Sequence, residues 1–397
     1  MPLTLRADAA DTPIEPGALV TVPGRTLSCY VHVPFCATRC GYCDFNTYTP
    51  SQLTGMTTRD YVQAAHREIE RARHELDDGR PLATVFFGGG TPTMAADDEL
   101  AGLLDHLRQA FGLAPGAEIT TEANPETLDE QRLDRLLDAG FNRLSLGMQS
   151  GDEQVLATLE RHHTPGRAVQ VARWAHRAGF DNVSLDLIYG APGETMDQWR
   201  VSLETALEAD PEHVSAYSLI VEDGTAMARH IAHGRLPEPD EDLEADKYLL
   251  AEERLGAAGL ANYEISNWSR PGREAAHNMA YWRSDDWWGI GPGAHSHVGA
   301  ARWWNVRHPR RYAAMLAAGT GPRAGHEILD EATSHEEAVM LGLRLRDGVR
   351  MTELTRAERA ALPGLAGRGL VEVREGAVRL TLAGRLLGDA VTLEILG

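Results

Sequence analysis

Over the first 260 residues, short apolar runs alternate with longer stretches in which apolar residues recur every three or four positions. The short runs indicate β-strands and the periodic stretches indicate amphipathic helices. The predicted strands are residues 28–33, 84–87, 119–122, 143–146, 183–187 and 214–219. The predicted helices are residues 59–76, 97–111, 128–139, 166–178, 196–209 and 241–258.

Six strand–helix repeats predict an α/β fold in which parallel strands are covered by helices. Six repeats are fewer than the eight of a closed barrel, and they fit a partial (β/α)6 barrel that is open on one side. In parallel α/β folds the chemistry lies at the carboxyl ends of the strands. We therefore expect functional residues in the loops that follow each strand.

The remaining segments predict four domains. Residues 1–24 read as a flexible tail, and residues 25–260 as the barrel core. Residues 261–320, rich in aromatic residues and glycine, are expected to close the barrel mouth. Residues 321–397 contain short helices and a hairpin around Glu375-Gly376, which predicts a C-terminal α+β winged-helix-like domain. This domain lacks a basic recognition face, so DNA binding is not inferred from its fold.

Charge and composition reduce the number of protein classes to which the chain can belong. The chain has 397 residues with 58 acidic against 38 basic side chains, which disfavours a nucleic-acid partner. Four cysteines do not indicate a secreted disulfide scaffold. No apolar run reaches the roughly 20 residues of a membrane span, and the N-terminus lacks a signal pattern. We expect a cytoplasmic protein; peripheral membrane contact and a homodimer both stay open.

Three of the cysteines, Cys36, Cys40 and Cys43, form a Cys-x3-Cys-x2-Cys motif. This spacing is too tight for a disulfide framework, and it lacks the fourth local ligand of a closed zinc or iron–sulfur site. Three thiolates can hold three irons of a [4Fe–4S] cluster and leave the fourth iron open. S-adenosylmethionine can chelate that iron through its amino and carboxylate groups. The alternatives are a small zinc knuckle or buried thiols.

The segment Tyr30-Val-His-Val-Pro-Phe-Cys36-Ala-Thr-Arg-Cys40-Gly-Tyr-Cys43-Asp-Phe45 resembles the radical S-adenosylmethionine enzymes. Within them it is similar to the branch that contains oxygen-independent coproporphyrinogen III oxidase and the HemW-type heme chaperones. The resemblance extends from about Ser28 to the C-terminus. It implies one [4Fe–4S] cluster and bound S-adenosylmethionine. An electron from such a cluster can break the sulfonium bond and yield a 5′-deoxyadenosyl radical; productive and unproductive cleavage both stay open for this chain.

The first strand presents two different faces. Successive side chains alternate, so Tyr30 and His32 share one face while Cys29 lies on the apolar other face. We expect Tyr30 to point into the barrel and Cys29 to be a core thiol. The resemblance implies that Tyr30 contacts S-adenosylmethionine and that Tyr42 stacks near its adenine. The alternative for Tyr30 is an ordinary strand aromatic.

Two further strand ends carry candidate cofactor contacts. Gly88-Gly89-Gly90-Thr91-Pro92 is glycine-rich but lacks the Lys-Ser/Thr of a phosphate loop. The resemblance implies that Gly89, Gly90 and Thr91 meet the methionyl group of the cofactor. Glu122 can accept from ribose hydroxyls or from the cofactor's ammonium, and the alternative is a salt bridge inside the barrel.

Three residues match positions that contact a second S-adenosylmethionine in the oxidase branch: Gln149, Arg161 and Asp186. One or two bound molecules both stay open for this chain. His162 and His163 follow Arg161 but lack carboxylate or cysteine partners nearby in the sequence. We interpret them as surface or helix-end histidines.

Two sequence features indicate whether the chain resembles the oxidases or the heme chaperones. The oxidases carry a further cysteine two positions after the third, where this chain has Phe45. His277-Asn-Met-Ala-Tyr281-Trp282 matches a His-Asn-x-x-Tyr-Trp motif of the heme chaperones, which implies heme contact at His277. The alternative is a packed aromatic turn in which His277 only makes hydrogen bonds. His295 and His297 are further candidate ligands, and Arg283 is a candidate partner for heme propionates.

The sequence therefore predicts a heme chaperone that delivers heme to acceptor proteins, with enzymatic activity left open. The first rival is an anaerobic coproporphyrinogen III dehydrogenase, against which Phe45 counts. The second rival is a radical methyltransferase or a heme-opening enzyme on the same scaffold.

Overall fold

The computed structural model describes residue 14 and residues 19–397. Residues 1–13 and 15–18 of the predicted tail lie outside the described residues. The chain divides into two compact units. The first comprises the chain up to Arg39 together with Asp44–Arg143 and Asp285–Asp330, and the second comprises Cys40–Cys43, Leu144–Ser284 and Glu331–Gly397.

The strands, in chain order, are β1 (Leu27–Val33), β2 (Leu82–Gly89), β3 (Leu113–Ala123), β4 (Arg143–Gln149), β5 (Val183–Tyr189), β6 (His213–Ser218), β7 (Ala261–Glu264), β8 (Asn267–Ser269), β9 (Asp286–Ile290), β10 (His295–Val298), β11 (Ala301–Asn305), β12 (Arg323–Ile328), β13 (Val349–Arg350), β14 (Val371–Arg374) and β15 (Ala377–Leu380). The helices are α1 (Thr58–Glu75), α2 (Asp97–Phe111), α3 (Glu130–Ala139), α4 (Glu153–Thr158), α5 (Arg167–Ala178), α6 (Met196–Leu207), α7 (Ala226–Ala232), α8 (Glu241–Ala257), α9 (Ala276–Trp282), α10 (Pro309–Ala317), α11 (Glu331–Leu343), α12 (Arg356–Gly367), α13 (Leu382–Leu386) and α14 (Gly388–Leu396).

The first unit is built on a parallel core. β1 pairs in parallel with β2, and β2 pairs in parallel with β3, as the strand–helix repeats predict. β9 pairs with the other side of β1, also in parallel, and β10, β11 and β12 continue from it as antiparallel strands. This four-strand extension was not predicted from the sequence.

The second unit contains the parallel strands β4, β5 and β6, as predicted. β8 pairs antiparallel with β6, and β7 with β8. The helices begin and end where the local sequence favours it. Thr195 caps α6 together with Gln198, and Gly179 ends α5 in a left-handed conformation.

The last part of the second unit has its own core. β13, β15 and β14 form a three-stranded antiparallel sheet, and the predicted hairpin turns at Glu375-Gly376, both with positive φ. Apolar side chains from α11, α12, α14 and these strands pack together, among them Leu343, Leu365 and Val378. None of the helices in the described part of the chain is long and apolar enough to cross a membrane.

The aromatic-rich segment is not confined to one end of the strands. Ser269, the last residue of β8, pairs with His213, the first residue of β6. α9 follows β8, so it begins at the amino end of β6 rather than at the carboxyl end, where we expected it. In the other unit β9 runs parallel to β1, so the loop Gly291-Pro292-Gly293 leaves at the carboxyl end of β1. The antiparallel β7–β8 hairpin accounts for the difference, because it returns the chain to the amino ends before α9 starts.

Candidate functional site

In the first unit, the glycine-rich loop after β2 is bound to the start of the cysteine loop. The backbone N–H of Gly90 donates to the carbonyl of Val33 at 2.8 Å, and that of Thr91 donates to Phe35 at 2.7 Å. A Cβ atom on Gly90 would lie 2.5 Å from the Phe35 carbonyl oxygen, so only glycine fits this approach. The Thr91 hydroxyl lies 3.8 Å from the sulfur of Cys36. Two of the predicted site elements therefore meet.

Tyr30 and His32 share the same face of β1, as strand parity predicts. The Tyr30 hydroxyl lies 3.0 Å from Nδ1 of His32, and Nε2 of His32 lies 3.0 Å from the carbonyl oxygen of Asn46. A carbonyl oxygen only accepts, so Nε2 carries the proton and Nδ1 accepts from Tyr30. Burial lowers the pKa of His32 to about 4, so the ring is neutral near pH 7.

Asn46 anchors the far end of the cysteine loop. Its side-chain amide donates to the carbonyl oxygens of Pro292 at 2.9 Å and Arg307 at 2.8 Å. The cysteine loop is thus hydrogen-bonded at its start to the glycine-rich loop and at its far end to the turn after β9.

Glu122, at the end of β3, faces the glycine-rich loop. Its Oε2 atom accepts a hydrogen bond of 3.0 Å from the backbone N–H of Gly89. Gly89 has a φ of +107°, and a Cβ atom there would lie 2.5 Å from the ring of His32. Glu122 therefore fixes the loop that the resemblance assigns to the methionyl group of the cofactor.

In the second unit, Arg161 faces the middle cysteine. Its Nη1 atom lies 3.7 Å from the sulfur of Cys40, and Nη2 donates to the carbonyl of Gly147 at 2.9 Å. The guanidinium places a positive charge beside a sulfur of the cysteine motif. Within this unit, Arg161 thus joins the end of β4 to the cysteine loop.

Tyr42 is partly buried among apolar side chains. It packs against a cluster that includes Leu159, Ile188 and Met227. Burial, followed by the charge of Cys40, raises the pKa of its phenol. Tyr42 therefore stays protonated beside the cysteines.

Gln149 and Asp186 lie on neighbouring parallel strands. Gln149 has a φ of +67°, a conformation that costs free energy outside glycine and that clusters at functional sites. Asp186 is surrounded by hydroxyls: its carboxylate accepts from Ser145 at 2.7 Å, Ser184 at 3.2 Å and Ser215 at 2.6 Å. A carboxylate bound by three hydroxyls is held in one orientation.

The donor set fits an iron–sulfur cluster. No described cysteine forms a disulfide, and Cys36, Cys40 and Cys43 are all half-buried. Among the described residues, no three His, Cys, Asp or Glu side chains converge as ligands of one metal ion. A [4Fe–4S] cluster binds each thiolate to a different iron, so its ligands do not converge on one point. Three thiols on one eight-residue stretch, with a hydroxyl at Cys36 and a guanidinium at Cys40, suit that cluster.

Cys29 is separate from this donor set. It is 2% exposed, and burial followed by the charge of Glu68 on α1 raises the pKa of its thiol. Its position on the helix-packed face of β1 agrees with the parity argument, because β-strand neighbours point to opposite faces.

The residues of the His-Asn-x-x-Tyr-Trp motif lie on α9. His277 is 1% exposed, and its Nε2 atom lies 2.8 Å from the hydroxyl of Tyr281, one helical turn later. Trp282 lies under the guanidinium of Arg344 at 5.9 Å. In this structure His277 is packed and hydrogen-bonded, as in the alternative interpretation.

The other candidate histidines are dispersed. His295 is exposed and stacks on Trp304, with 6.0 Å between ring centroids. His297 is buried against Trp287. His162 is exposed and His163 is partly buried between α4 and α5, as expected of surface or helix-end residues.

The comparisons with known proteins agree with this geometry. Residues 30–206 match the Radical SAM superfamily model, and residues 329–387 match the HemN C-terminal domain model. Heme chaperone HemW of Mycobacterium tuberculosis is 49% identical over 385 residues, which cover 97% of this chain and 98% of the relative. Heme chaperone HemW of Bacillus subtilis is 36% identical, over 93% of this chain and 99% of the relative. This chain belongs to the HemW family of the radical S-adenosylmethionine superfamily.

A solved structure extends the agreement to the fold. Coproporphyrinogen III oxidase (HemN) from Escherichia coli matches with a TM-score of 0.82 at 25% identity, over 95% of this chain and 92% of that one. The predicted fold, a partial (β/α)6 radical-SAM barrel with a C-terminal α+β winged-helix-like domain, is confirmed. The HemW-family chain differs from the oxidase motif at Phe45, two positions after Cys43, and the Phe45 side chain is 62% exposed.

Several contacts of the site residues were not predicted from the sequence. The three serines around Asp186 come from three different strands, and only the strand register brings them together. His32 was placed on the inner face, but its bond to Asn46 was not foreseen. The His277–Tyr281 pair had a signal, because residues four apart meet on one helix face.

Proposed function

We propose that this chain is a heme chaperone that carries a [4Fe–4S] cluster and S-adenosylmethionine and delivers heme to acceptor proteins. The observation that carries the proposal is the full-length likeness to heme chaperone HemW, 49% identical over 97% of the chain. Phe45 supports it, because the chain lacks the additional cysteine of the oxidase branch.

The cluster ligands in this proposal are Cys36, Cys40 and Cys43. When bound, such a cluster supplies an electron for cleavage of the sulfonium of S-adenosylmethionine. The residues of the chain itself hold and orient the cluster and the cofactor. Thr91 and Arg161 place a hydroxyl and a cation beside two of the sulfurs, which tunes a cluster through hydrogen bonds and charge.

The cofactor contacts are assigned to residues around those sulfurs. Gly89, Gly90 and Thr91 offer a close backbone approach for the methionyl group, and Glu122 fixes that loop. Tyr30 stays hydrogen-bonded to a neutral His32, and Tyr42 offers an uncharged aromatic ring for the adenine. Gln149, Arg161 and Asp186, in the second unit, are also assigned to S-adenosylmethionine.

Heme is the cargo, and we assign its contact to α9. Porphyrin is large, flat and apolar, so aromatic side chains such as Tyr281 and Trp282 favour its binding. His277 supplies a nitrogen ligand once its Nε2 exchanges the Tyr281 hydroxyl for iron. The exposed Arg283, next on the chain, is assigned to the propionates.

The competing function is coproporphyrinogen III oxidation, which the structural match to the oxidase favours. An anaerobic assay of the reconstituted protein with coproporphyrinogen III and heme, run side by side, decides between them. We expect heme binding and transfer to an apo-acceptor, and no protoporphyrinogen above a control in which the three motif cysteines are alanine. Steady accumulation of the decarboxylated product would move the chain to the oxidase branch.

A further inference from the structure

A continuous line of hydrogen bonds runs through the second unit from Asp186 to the start of α9. Ser184 donates to the Asp186 carboxylate at 3.2 Å, and its oxygen lies 2.8 Å from Nδ1 of His213. Nε2 of His213 lies 2.8 Å from the hydroxyl of Tyr263, which accepts from the backbone N–H of Ala275 at 3.2 Å. Ala275 is the N-cap residue of α9.

The carboxylate determines the direction of the first two bonds in this line. An ionised carboxylate only accepts, so the Ser184 hydroxyl gives its proton to Asp186 and accepts from His213. His213 therefore carries a proton on Nδ1. In a neutral imidazole the other ring nitrogen, Nε2, is then an acceptor and receives the Tyr263 hydroxyl proton, while the Tyr263 oxygen accepts from the Ala275 N–H. This arrangement corresponds to a neutral His213 with its proton on Nδ1.

The line runs from the middle of the strands to their amino ends. Asp186 lies in the middle of β5, whereas His213 is the first residue of β6 and pairs with Ser184. Ser184, His213, Tyr263 and Ala275 are each at most 2% exposed. Buried from water, these polar groups depend on one another, because an unpaired buried donor or acceptor is costly.

We propose that His213 is a positioning residue for the heme-binding helix α9. It holds the Tyr263 hydroxyl at its Nε2, and Tyr263 in turn holds the Ala275 N–H, two residues before His277. This inference rests on the proposed function, because it assigns His213 a role in heme binding through α9. His213 itself contacts neither heme nor cluster.

Two substitutions test the hydrogen bonds of the two ring nitrogens of His213 separately. The amide of asparagine reaches the Nδ1 position, and the longer glutamine reaches the Nε2 position. His213→Gln keeps an acceptor for Tyr263, whereas His213→Asn keeps only the donor to Ser184. In heme titrations followed by Soret absorbance, we expect His213→Gln to bind heme within about twofold of the parent. His213→Asn should bind about tenfold more weakly, as loss of one buried hydrogen bond implies.

Tyr263→Phe is the second test, since it removes one oxygen and with it both bonds of the line near α9. It should weaken heme binding about as much as His213→Asn. Iron content and the S-adenosylmethionine-dependent electron paramagnetic resonance signal should match the parent in all three variants, which shows that the fold and cluster are intact. If His213→Asn loses iron or the S-adenosylmethionine-dependent signal, the heme affinity of Tyr263→Phe alone tests the inference.

Three outcomes would overturn the inference. Parent-like heme binding in Tyr263→Phe would do so, as would equal losses in His213→Gln and His213→Asn. His277→Ala separates this failure from that of the proposed function. Heme binding lost in His277→Ala but unchanged in Tyr263→Phe rejects only the role of His213. Heme binding unchanged in His277→Ala removes α9 from the heme site, and the positioning role falls with it.

Discussion

The Oε2 atom of Glu122 lies 3.0 Å from the backbone nitrogen of Gly89 and accepts its hydrogen. This bond joins the ends of β3 and β2 and fixes the glycine-rich loop that is proposed to meet S-adenosylmethionine. A backbone N–H bound to a charged oxygen is a strong hydrogen bond. The Glu122 carboxylate therefore stabilises the glycine-rich loop whether or not the cofactor is bound.

Replacing Glu122 with glutamine should weaken S-adenosylmethionine binding about tenfold, because the loop loses a charge-assisted hydrogen bond. The measurement is equilibrium binding of the cofactor to anaerobically reconstituted protein. Glu130→Gln, a similar change at an exposed position of α3, is the matched control and should bind normally. Equal affinity in the two variants would leave Glu122 with no role in cofactor binding.

The cysteines should separate into two classes. Replacing Cys36, Cys40 and Cys43 with alanine should abolish the brown chromophore, whereas Cys29→Ala should retain about four irons per chain. The reason is that Cys29 is buried against α1, with a raised thiol pKa. Iron analysis and visible absorbance check this. Loss of the cluster from Cys29→Ala alone would contradict both the parity argument and the open-iron arrangement.

The sequence predicted those parts of the fold that local pattern controls. α2 was predicted at residues 97–111, as observed, and the faces of β1 followed from alternation alone. Short elements were missed: α4 has six residues and α7 seven, too few to show a period. β9 to β12 were missed because the first of them pairs with β1 across more than 250 residues, and no local signal records such a partner.

The candidate site divides in the same way. The cysteines and the glycine-rich loop carry their own motifs, so they could be predicted as site residues from the sequence alone. The serines around Asp186 depend on the register of three strands, which a one-residue slip would change. The position of α9 depends on the β7–β8 hairpin, whose two strands together have only seven residues. Pattern reasoning placed the helix at the wrong end of the strands for that reason.

A buried carboxyl in the first unit predicts pH-dependent stability. Glu68 on α1 accepts from the backbone of Gly291 at 2.7 Å, from Asn305 at 2.7 Å and from Tyr312 at 2.5 Å. Burial raises its pKa from 4.5 to about 7, although these bonds and Arg323 oppose the rise. Between these two values the folded chain holds a proton that the unfolded chain has released. Stability from this group is therefore present at low pH and is lost as the pH rises from about 4.5 to 7.

Glu68→Gln should remove this dependence. Relative to the parent, the free energy of unfolding of the variant should rise by about 2–3 kcal/mol between pH 5 and pH 8. Urea unfolding at a series of pH values measures it. Glu253→Gln, an exposed change on α8, should show no such trend. A parallel pH profile for parent and Glu68→Gln would mean that folding does not raise the pKa of Glu68.

The last prediction concerns the bond between His277 and Tyr281. The Tyr281 hydroxyl occupies Nε2 of His277, the atom that heme iron would need. If His277 ligates heme, the phenol competes with the iron, and removing it should favour heme. Tyr281→Phe should therefore tighten heme binding about fivefold, the value of one net hydrogen bond, while His277→Ala weakens it and shifts the Soret band.

The comparison needs a matched tyrosine. Tyr217→Phe removes a hydroxyl from a side chain that is 44% exposed on β6, and it should leave the heme titration unchanged. A Tyr281→Phe variant that binds heme no better than the parent, together with a silent His277→Ala, would identify the pair as packing of α9 alone. Tighter binding in Tyr281→Phe has no such structural explanation, because a variant that only loosens the helix loses contacts and gains none. The sign of that one change therefore distinguishes a heme ligand from a packed histidine.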